Sequence, residues 1–290
     1  MRRASLALAH AVGAVLIAHA LAYALIKALP DAAVIALGFE SANPQALAAF
    51  REAQPDRTYW ASLTGLFQFD FGTSLDGVEV WTELTRSLAV SGPRLALAYL
   101  LTLAAVVVLP ATLRSTAPLT RGALPLLAFL PPYVTPFVAL GLITAATLSF
   151  GWAPNDWLLE LVLILTLAGP VTALALKQAG GVMARLLTTD HARTLLAIGT
   201  SPRQQRWLLM SNVVSEMLTS LQKLAVAMLG ILLFVEPIFG SPGIGTTALR
   251  AIRRSDADLL LGVVFTFAVA TTAIGLLGQV LQARMRRVSS

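Results

Sequence analysis

The sequence predicts an all-α membrane protein with about six transmembrane helices, and its bulk composition carries that prediction. Of the 290 residues, 57% are hydrophobic and only 12% are charged, and the mean hydropathy is +0.75. A soluble domain has about 45–50% apolar and about 25% charged residues. The low charge therefore excludes an ordinary soluble enzyme and a disordered chain. The absence of cysteine excludes disulfides, thiolate metal sites and cysteine nucleophiles.

Six stretches are long and apolar enough to cross a bilayer, which requires about 20 mainly apolar residues. They are Leu6–Leu29, Leu88–Leu113, Ala123–Leu148, Trp157–Ala179, Val213–Val235 and Leu259–Leu281. The first follows Met1-Arg2-Arg3, so it is either a cleaved secretory signal or a retained anchor. Its apolar run is longer than the roughly 7–15 residues of a signal, which favours the anchor.

The spans divide the chain into three parts. Residues 1–29 form the first helix, residues 30–87 an extracytoplasmic segment, and residues 88–285 a core of five helices. Within the core, residues 180–212 are the cytoplasmic loop and residues 236–258 the outer loop. The prolines and aromatic residues of the 30–87 segment predict a small ordered cap with short helices.

Lysine and arginine are concentrated on one side of the spans, and this bias predicts their orientation. With a cytoplasmic N-terminus, the inside segments carry Arg2, Arg3, Arg114, Arg121, Lys177, Arg185, Arg193, Arg203, Arg206, Arg284, Arg286 and Arg287. The clear acid among them is Asp190, whereas the outside segments carry nearly all other acids, from Asp31 to Asp258. Because cytoplasmic loops hold the excess of Lys and Arg, both termini are expected in the cytoplasm.

Motifs for covalent or metal chemistry are missing from the sequence. There is no GxxxxGK[ST] phosphate loop and no HExxH pair. His10 and His19 lie about 180° apart around a helix, so they cannot share a metal ion. We therefore expect no catalytic residue and no metal site in this chain. The pI of about 10.3 follows from the loop arginines, so we expect no nucleic-acid partner.

A short helix is predicted inside the cytoplasmic loop. Thr189 or Asp190 can cap its start, Gly199 is placed to end it, and Ser201-Pro202 starts another helix. Its apolar stripe has the helical spacing i, i+3, i+4 and i+7 and consists of Ala192, Leu195, Leu196 and Gly199. A helix this short needs a surface to pack on. That surface is either the membrane ends of the same chain or the groove of a partner.

Three segments resemble one family. Arg193-Thr194-x-x-Ala197-x-Gly199 is similar to the coupling-helix motif of binding-protein-dependent ABC importer permeases, in their dipeptide/oligopeptide/nickel branch. Residues 235–245, Val-Glu-Pro-Ile-Phe-Gly-Ser-Pro-Gly-Ile-Gly, resemble that branch's segment before the last span, and Asp256 matches its Arg-Asp-Tyr-like step. Residues 69–75, Phe-Asp-Phe-Gly-Thr-Ser-Leu, resemble its Gly-Asp-Leu-Gly-x-Ser motif. The matches come in the family's order and spacing.

The resemblance implies a type I ABC importer permease fold in the bacterial inner membrane. It implies a second permease subunit in a homologous heterodimer, two cytoplasmic ATP-binding subunits that hold ATP and Mg, and an extracytoplasmic solute-binding protein. The implied ATPase-coupling residues are Asp190, Ala192, Arg193, Thr194, Leu195, Leu196, Ala197 and Gly199. The branch carries peptides, nickel or nickel chelates, opines and similar small solutes, and the sequence does not choose among them.

A polar stripe runs along the fifth span. Asn212, Glu216, Thr219 and Lys223 fall within about 60° of one another on a helix, and Ala227 continues the line. Charged groups in a span face protein or water rather than lipid. The stripe either lines the translocation path at a subunit interface or holds an interfacial pair that snorkels to the cytoplasmic side.

The outer loop begins with a tightly specified turn. Its candidate gate or docking residues are Glu236, Phe239, Pro242, Gly243 and Gly245. The resemblance favours a gate or a docking surface for the binding protein, and a plain turn is the alternative.

Two other functions compete with an importer permease. A self-sufficient secondary transporter or channel is disfavoured because no inverted repeat of the hydropathy and no matched pair of broken helices is evident. A membrane-embedded enzyme or assembly factor is disfavoured because no catalytic constellation is present.

Overall fold

The computed structural model describes residues 2–28, 34, 43–53, 58–112, 135–150 and 155–288, and the regular elements in these ranges are α-helices. An isolated antiparallel bridge joins Thr73 and Glu79. The helices are α1 (Arg2–Ile26), α2 (Pro44–Ala53), α3 (Tyr59–Gln68), α4 (Val80–Thr112), α5 (Thr135–Phe150), α6 (Asp156–Leu186), α7 (Asp190–Ala197), α8 (Pro202–Ile238), α9 (Ile244–Arg254) and α10 (Ala257–Val288). The predicted all-α class is confirmed.

Four of these helices, α4, α6, α8 and α10, are long and apolar enough to cross a membrane. They correspond to four of the six predicted spans. The predicted first and third spans correspond to shorter apolar helices, Ala11–Ile26 within α1 and Thr135–Ser149 within α5. Residues 123–134 of the third predicted span lie outside the described residues.

The long helices extend well beyond the predicted cytoplasmic boundaries. α6 continues to Leu186 and α8 begins at Pro202, so much of the predicted 180–212 loop belongs to these two helices. In the 30–87 segment, the described residues contain the short helices α2 and α3. Residues 30–33, 35–42 and 54–57 of that segment lie outside the described residues.

Contacts within the chain divide it into two units. The first is Met1–Ser91 with Gly240–Leu276, and the second is Gly92–Phe239 with Leu277–Ser290. In the first unit, α10 approaches the start of α4 at Gly262. A Cβ at this glycine would lie 2.7 Å from Val80 Cγ1 and 2.8 Å from Leu84 Cδ1. The missing side chain is what allows the two helices to lie this close.

The second unit is built around α4, α6 and α8. Along α4, Ala98, Thr102 and Val106 are fully buried at a spacing of four residues, which places them on one face of the helix. Thr102 Oγ1 lies 2.8 Å from Thr172 Oγ1 of α6. At the far end of α4, the buried Arg206 of α8 donates from Nε to the Ala111 carbonyl at 3.3 Å.

Replacing Gly262 by valine is expected to lower the free energy of unfolding in detergent by about 1–3 kcal/mol, the usual cost of overpacking. The new side chain would occupy space held by Val80 and Leu84, which are both fully buried. Gly275 on the same helix gives the matched control, because a Cβ there meets no atom within 4 Å. Thermal unfolding followed by circular dichroism compares G262V with G275V. Equal melting temperatures would contradict the packing described for Gly262.

Candidate functional site

The helix predicted inside the cytoplasmic loop is present as α7, with the predicted start and end signals. Thr189 is its extended N-cap, and Thr189 Oγ1 accepts a hydrogen bond from the Ala192 N–H. Gly199 follows the helix with φ +88°, a left-handed conformation that favours glycine. Ser201 then begins α8 with a reciprocal capping box to Gln204, and Pro202 takes the first helical position.

Side-chain hydrogen bonds hold α7 against the start of α8. Gln205, which is buried, donates from Nε2 to the Ala192 carbonyl at 2.7 Å. Thr200 Oγ1 donates to the Leu195 carbonyl at 2.6 Å. Ala192 itself is fully buried. The Gln205 bond ties α7 to α8, and the Thr200 bond is made to a carbonyl in the last turn of α7, one of the groups that a helix end leaves open.

The predicted apolar stripe of α7 is divided between a buried and an exposed side. Ala192 packs on the chain itself, Leu195 is half-buried, and Leu196 is 48% exposed. Ile198, just after the helix, is 71% exposed. Of the other predicted coupling residues, Asp190, Arg193, Thr194, Ala197 and Gly199 are exposed. Arg193 Nη1 lies 3.3 Å from Asp190 Oδ1, so the exposed side combines apolar side chains with a paired charge.

The predicted polar stripe lies along one exposed line of α8. All five of its members are exposed, namely Asn212, Glu216, Thr219, Lys223 and Ala227. Glu216 accepts a hydrogen bond from Arg185 Nη2 of α6 at 3.0 Å, and both side chains are largely exposed. The partner of Glu216 is therefore on the neighbouring helix, as the two-turn separation from Lys223 predicts.

A groove of about 590 Å³ lies between α6 and α8. Its buried floor is formed by Val182 and Met217. The groove is lined by Leu174, Lys177, Gln178, Gly181, Val182, Arg185, Glu216, Met217 and Ser220. Glu216 is the member of the predicted stripe that contributes to this lining.

The predicted gate or docking residues do not all lie in one turn. Glu236 lies inside α8 and is fully buried. Phe239 follows the helix, Pro242 is exposed, and Gly243 and Gly245 are buried. The sequence from Ile244 onward forms α9, an amphipathic helix that the sequence analysis did not predict. Its buried side is Ile244, Gly245, Thr247, Ala248 and Ala251.

A buried ion cluster joins three long helices of the second unit; Glu236 belonged to the predicted site, whereas Arg94 and Glu160 did not. Arg94 of α4 pairs with Glu160 near the start of α6, and its Nη2 donates to Glu160 Oε2 at 3.0 Å. Arg94 Nη1 also donates to Glu236 Oε1 near the end of α8 at 3.1 Å. The Arg94 side chain is 7% exposed and the Glu236 side chain 0% exposed. A buried carboxylate is stable as an ion only with such a partner.

A second carboxylate, Asp256, joins the start of α10 to the loop before α4 in the first unit. Its Oδ1 accepts from the Leu259 N–H at 3.1 Å, and its Oδ2 accepts from the Leu75 N–H at 2.8 Å. Asp256 therefore caps the start of α10 and also binds the loop that carries the 69–75 motif. Burial raises the pKa of this carboxyl, while the two backbone donors act in the opposite direction.

Arginines of α9 bind the same part of the first unit. Arg250 pairs with Glu83 at the start of α4, and Arg254 pairs with Asp76 of the 70–79 loop. Ser91 Oγ accepts from the Ile244 N–H at 2.8 Å. Two charge pairs and the bond from the Ile244 N–H to Ser91 therefore hold the part of the predicted outer loop that belongs to the first unit.

The sequence carried a usable signal for some of these residues. Ile244, Ala248 and Ala251 have the i, i+4, i+7 spacing of an amphipathic helix, and Arg253 and Arg254 suit its last turn. Arg94, an arginine inside an apolar span, is by itself a reason to expect a buried acidic partner.

No protein-family model matches this chain, and no curated protein matches it. The proposed function therefore rests on the sequence resemblance and on the arrangement of the described residues.

Replacing Arg94 by methionine is expected to lower the free energy of unfolding by about 3–5 kcal/mol, because Glu236 would be left buried without its cation. The double variant Arg94→Met/Glu236→Met should regain most of this loss. Arg185→Met is the control, since its pair with Glu216 is exposed and should contribute about 1 kcal/mol or less. Unfolding in detergent with increasing denaturant measures all three. Similar losses for R94M and R185M would show that the Arg94 cluster is not the buried pair described.

Asp256 should make the free energy of unfolding depend on pH, and the sign of this dependence follows from its pKa. Since its folded pKa lies above the ordinary value of 3.8, the folded chain binds the proton more tightly. That contribution to stability is present below the ordinary pKa and is lost as the pH rises through the folded pKa. The free energy of unfolding of the wild type minus that of Asp256→Asn should therefore fall as the pH rises from the ordinary pKa through the folded pKa. Chemical unfolding of both proteins over a pH series tests it, and a difference that rises with pH would contradict it.

Proposed function

We propose that this chain is a transmembrane permease subunit of an ATP-driven, binding-protein-dependent ABC importer. The proposal rests on the structure and exposure of helix α7. It is a short capped helix, fixed between two helices long enough to cross a membrane, and it leaves Leu196 and Ile198 exposed. The sequence resemblance assigns this same helix to ATPase coupling. No covalent step is assigned to the chain, which on this proposal is a non-catalytic subunit.

The attachment of α7 supports a mechanical role. A helix of eight residues is unstable alone, yet here it is capped at both ends and bonded to α8 through Gln205. A displacement of α7 by an ATPase subunit would therefore be transmitted to α8 and would not be lost in a flexible loop. In this mechanism, closure of the two ATPase subunits on ATP and Mg moves α7, and α8 switches the pathway between its inward-open and outward-open states.

The exposed side of α7 suits a protein groove. Leu196 supplies apolar area on the helix, Ile198 supplies more just past its end, and the Asp190–Arg193 pair supplies a charged rim. The predicted alternative, packing on the chain's own membrane ends, accounts for Ala192 but leaves these two residues uncovered by the described part of the chain.

The polar stripe of α8 supports a second permease subunit. Its members are exposed along a helix long enough to cross the membrane, and polar groups at such depth require protein or water. A homologous subunit packed against this line would enclose a polar path between the two chains. We propose that Asn212, Glu216, Thr219 and Lys223 line this path.

The remaining parts of the proposal follow from the same family. The chain would have about six spans with a type I permease fold, α1 and α5 supplying the two spans beyond the four long helices. It would reside in the bacterial inner membrane, with both termini cytoplasmic. An extracytoplasmic binding protein would deliver a peptide or similar small solute, or a metal chelate, to the outer end that carries Phe239, Pro242 and α9.

Leu196→Asp is expected to abolish stimulation of the ATPase by transport substrate and binding protein, because a carboxylate cannot enter an apolar groove without a partner. His191→Asp is the matched control. It adds the same charge to the same helix at an exposed position about 140° away. Both variants would be reconstituted in vesicles with their partners, and ATP hydrolysis and uptake measured together. Unchanged uptake by L196D, or equal losses in the two variants, would contradict ATPase coupling through α7.

Co-purification from detergent tests the assembly itself. The expected result is a complex that contains two ATP-binding subunits and a second permease. A chain that transports solute alone in liposomes would instead favour a self-sufficient transporter or channel, and the permease proposal would fail.

A further inference from the structure

We propose that the groove between α6 and α8 binds the headgroup of an anionic phospholipid, with a phosphate and a hydroxyl as its recognised groups. This inference requires only that α6 and α8 cross the membrane and is independent of the transport proposal. Lipid is the expected occupant because of the depth of the groove, its charge and an unsatisfied hydrogen-bond acceptor in its lining.

The depth of the groove matches the edge of the hydrocarbon layer. Lys177 lies 17 residues after Glu160 on α6, about 25 Å along the helix axis. The hydrocarbon layer is about 30 Å thick. With Glu160 near one edge, Lys177 lies near the other, and its long side chain can place the ammonium among the headgroups.

The charge of the groove favours an anion. Lys177 and Arg185 contribute two cations, and Glu216 contributes one carboxylate that is already paired with Arg185. The ammonium of Lys177 is exposed and makes no ion pair or hydrogen bond within the described part of the chain. Basic pockets between membrane helices are typical headgroup sites, because each Lys or Arg there attracts the lipid phosphate.

An unsatisfied group in the lining indicates a hydroxyl donor. Gln178 Oε1 is buried and has no hydrogen-bond partner among the described residues. Buried polar atoms are nearly always paired, so this acceptor indicates a missing donor. Gln178 also lines the groove, so a rotation of its side chain would bring this acceptor to a headgroup hydroxyl beside a phosphate held by Lys177. Inorganic phosphate at neutral pH would satisfy the cations equally well, so the test must separate the two.

The apolar parts of the lining suit an acyl chain. Leu174 lies on the deeper side of Lys177, and its side chain is exposed. Val182 and Met217 form the buried floor, and Gly181 leaves open space because a Cβ there would meet no atom within 4 Å. A lipid would therefore place its phosphate at Lys177 and its acyl chain beside Leu174, an arrangement that a water-soluble anion does not use.

Native mass spectrometry of the full chain in detergent tests the site. The probes are phosphatidylglycerol and phosphatidylcholine with identical acyl chains, offered in equal amounts. We expect the wild type to retain phosphatidylglycerol preferentially and Lys177→Gln to reduce this preference about fivefold. Lys223→Gln is the matched control, because this exposed lysine lies on α8 outside the groove lining. Gln178→Leu should also reduce the preference, since it removes the acceptor.

Each other outcome overturns the proposal. If K177Q and K223Q reduced the preference for phosphatidylglycerol equally, the lipid would be attracted by the total charge of the protein and not by the groove. Equal retention of the two lipids by the wild type would exclude headgroup recognition. Displacement of phosphatidylglycerol by inorganic phosphate alone would assign the groove to a free anion. Because Lys177 is exposed, we expect the Lys177→Gln variant to fold, so misfolding does not obscure the result. Thermal stabilisation of the protein by each lipid provides an independent measurement.

Discussion

One buried arginine holds the long helices of the second unit in register. Arg94 of α4 reaches Glu160 of α6 and Glu236 of α8, and Glu236 is fully buried. In a low-dielectric interior an ionised carboxylate without a partner is strongly unfavourable, so α8 cannot slide or rotate without losing this contact. Arg206 fixes the opposite end of α4 by bonding the Ala111 carbonyl. The helices that carry the candidate site are therefore positioned by polar contacts at both ends and by close packing between them.

The candidate site depends on this frame through α8. Its first turns hold α7 through Gln205, its middle carries the exposed polar stripe, and its last turn ends in Glu236. The Arg185–Glu216 pair and the Arg94 cluster are separated by 20 residues of α8, about 30 Å. This separation equals the thickness of a hydrocarbon core, which is consistent with charges being retained at its two edges.

The features that local sequence determines were predictable, and those that depend on distant partners were not. The ends of α7 follow from Thr189, Gly199 and Ser201-Pro202, because each of these affects backbone groups within one helical turn of its own position. Glu236 was placed in an outer turn because Pro237 follows it. A proline in the last turn removes only one backbone bond, however, and α8 continues to Ile238. The partner of Glu236 is 142 residues away in sequence, so no local pattern could reveal it.

The uninterrupted length of α8 has a consequence for the height of α7 above the membrane. At 37 residues, α8 is about 55 Å long, well beyond the hydrocarbon thickness. A tilt of about 20°, typical of membrane helices, shortens its projection on the membrane normal by about 3 Å. Because α7 is bonded to the first turns of this helix, the same tilt raises or lowers Leu196 and Ile198 relative to the lipid surface. Bilayer thickness, which influences helix tilt, would thus set the height of these two side chains relative to the lipid surface.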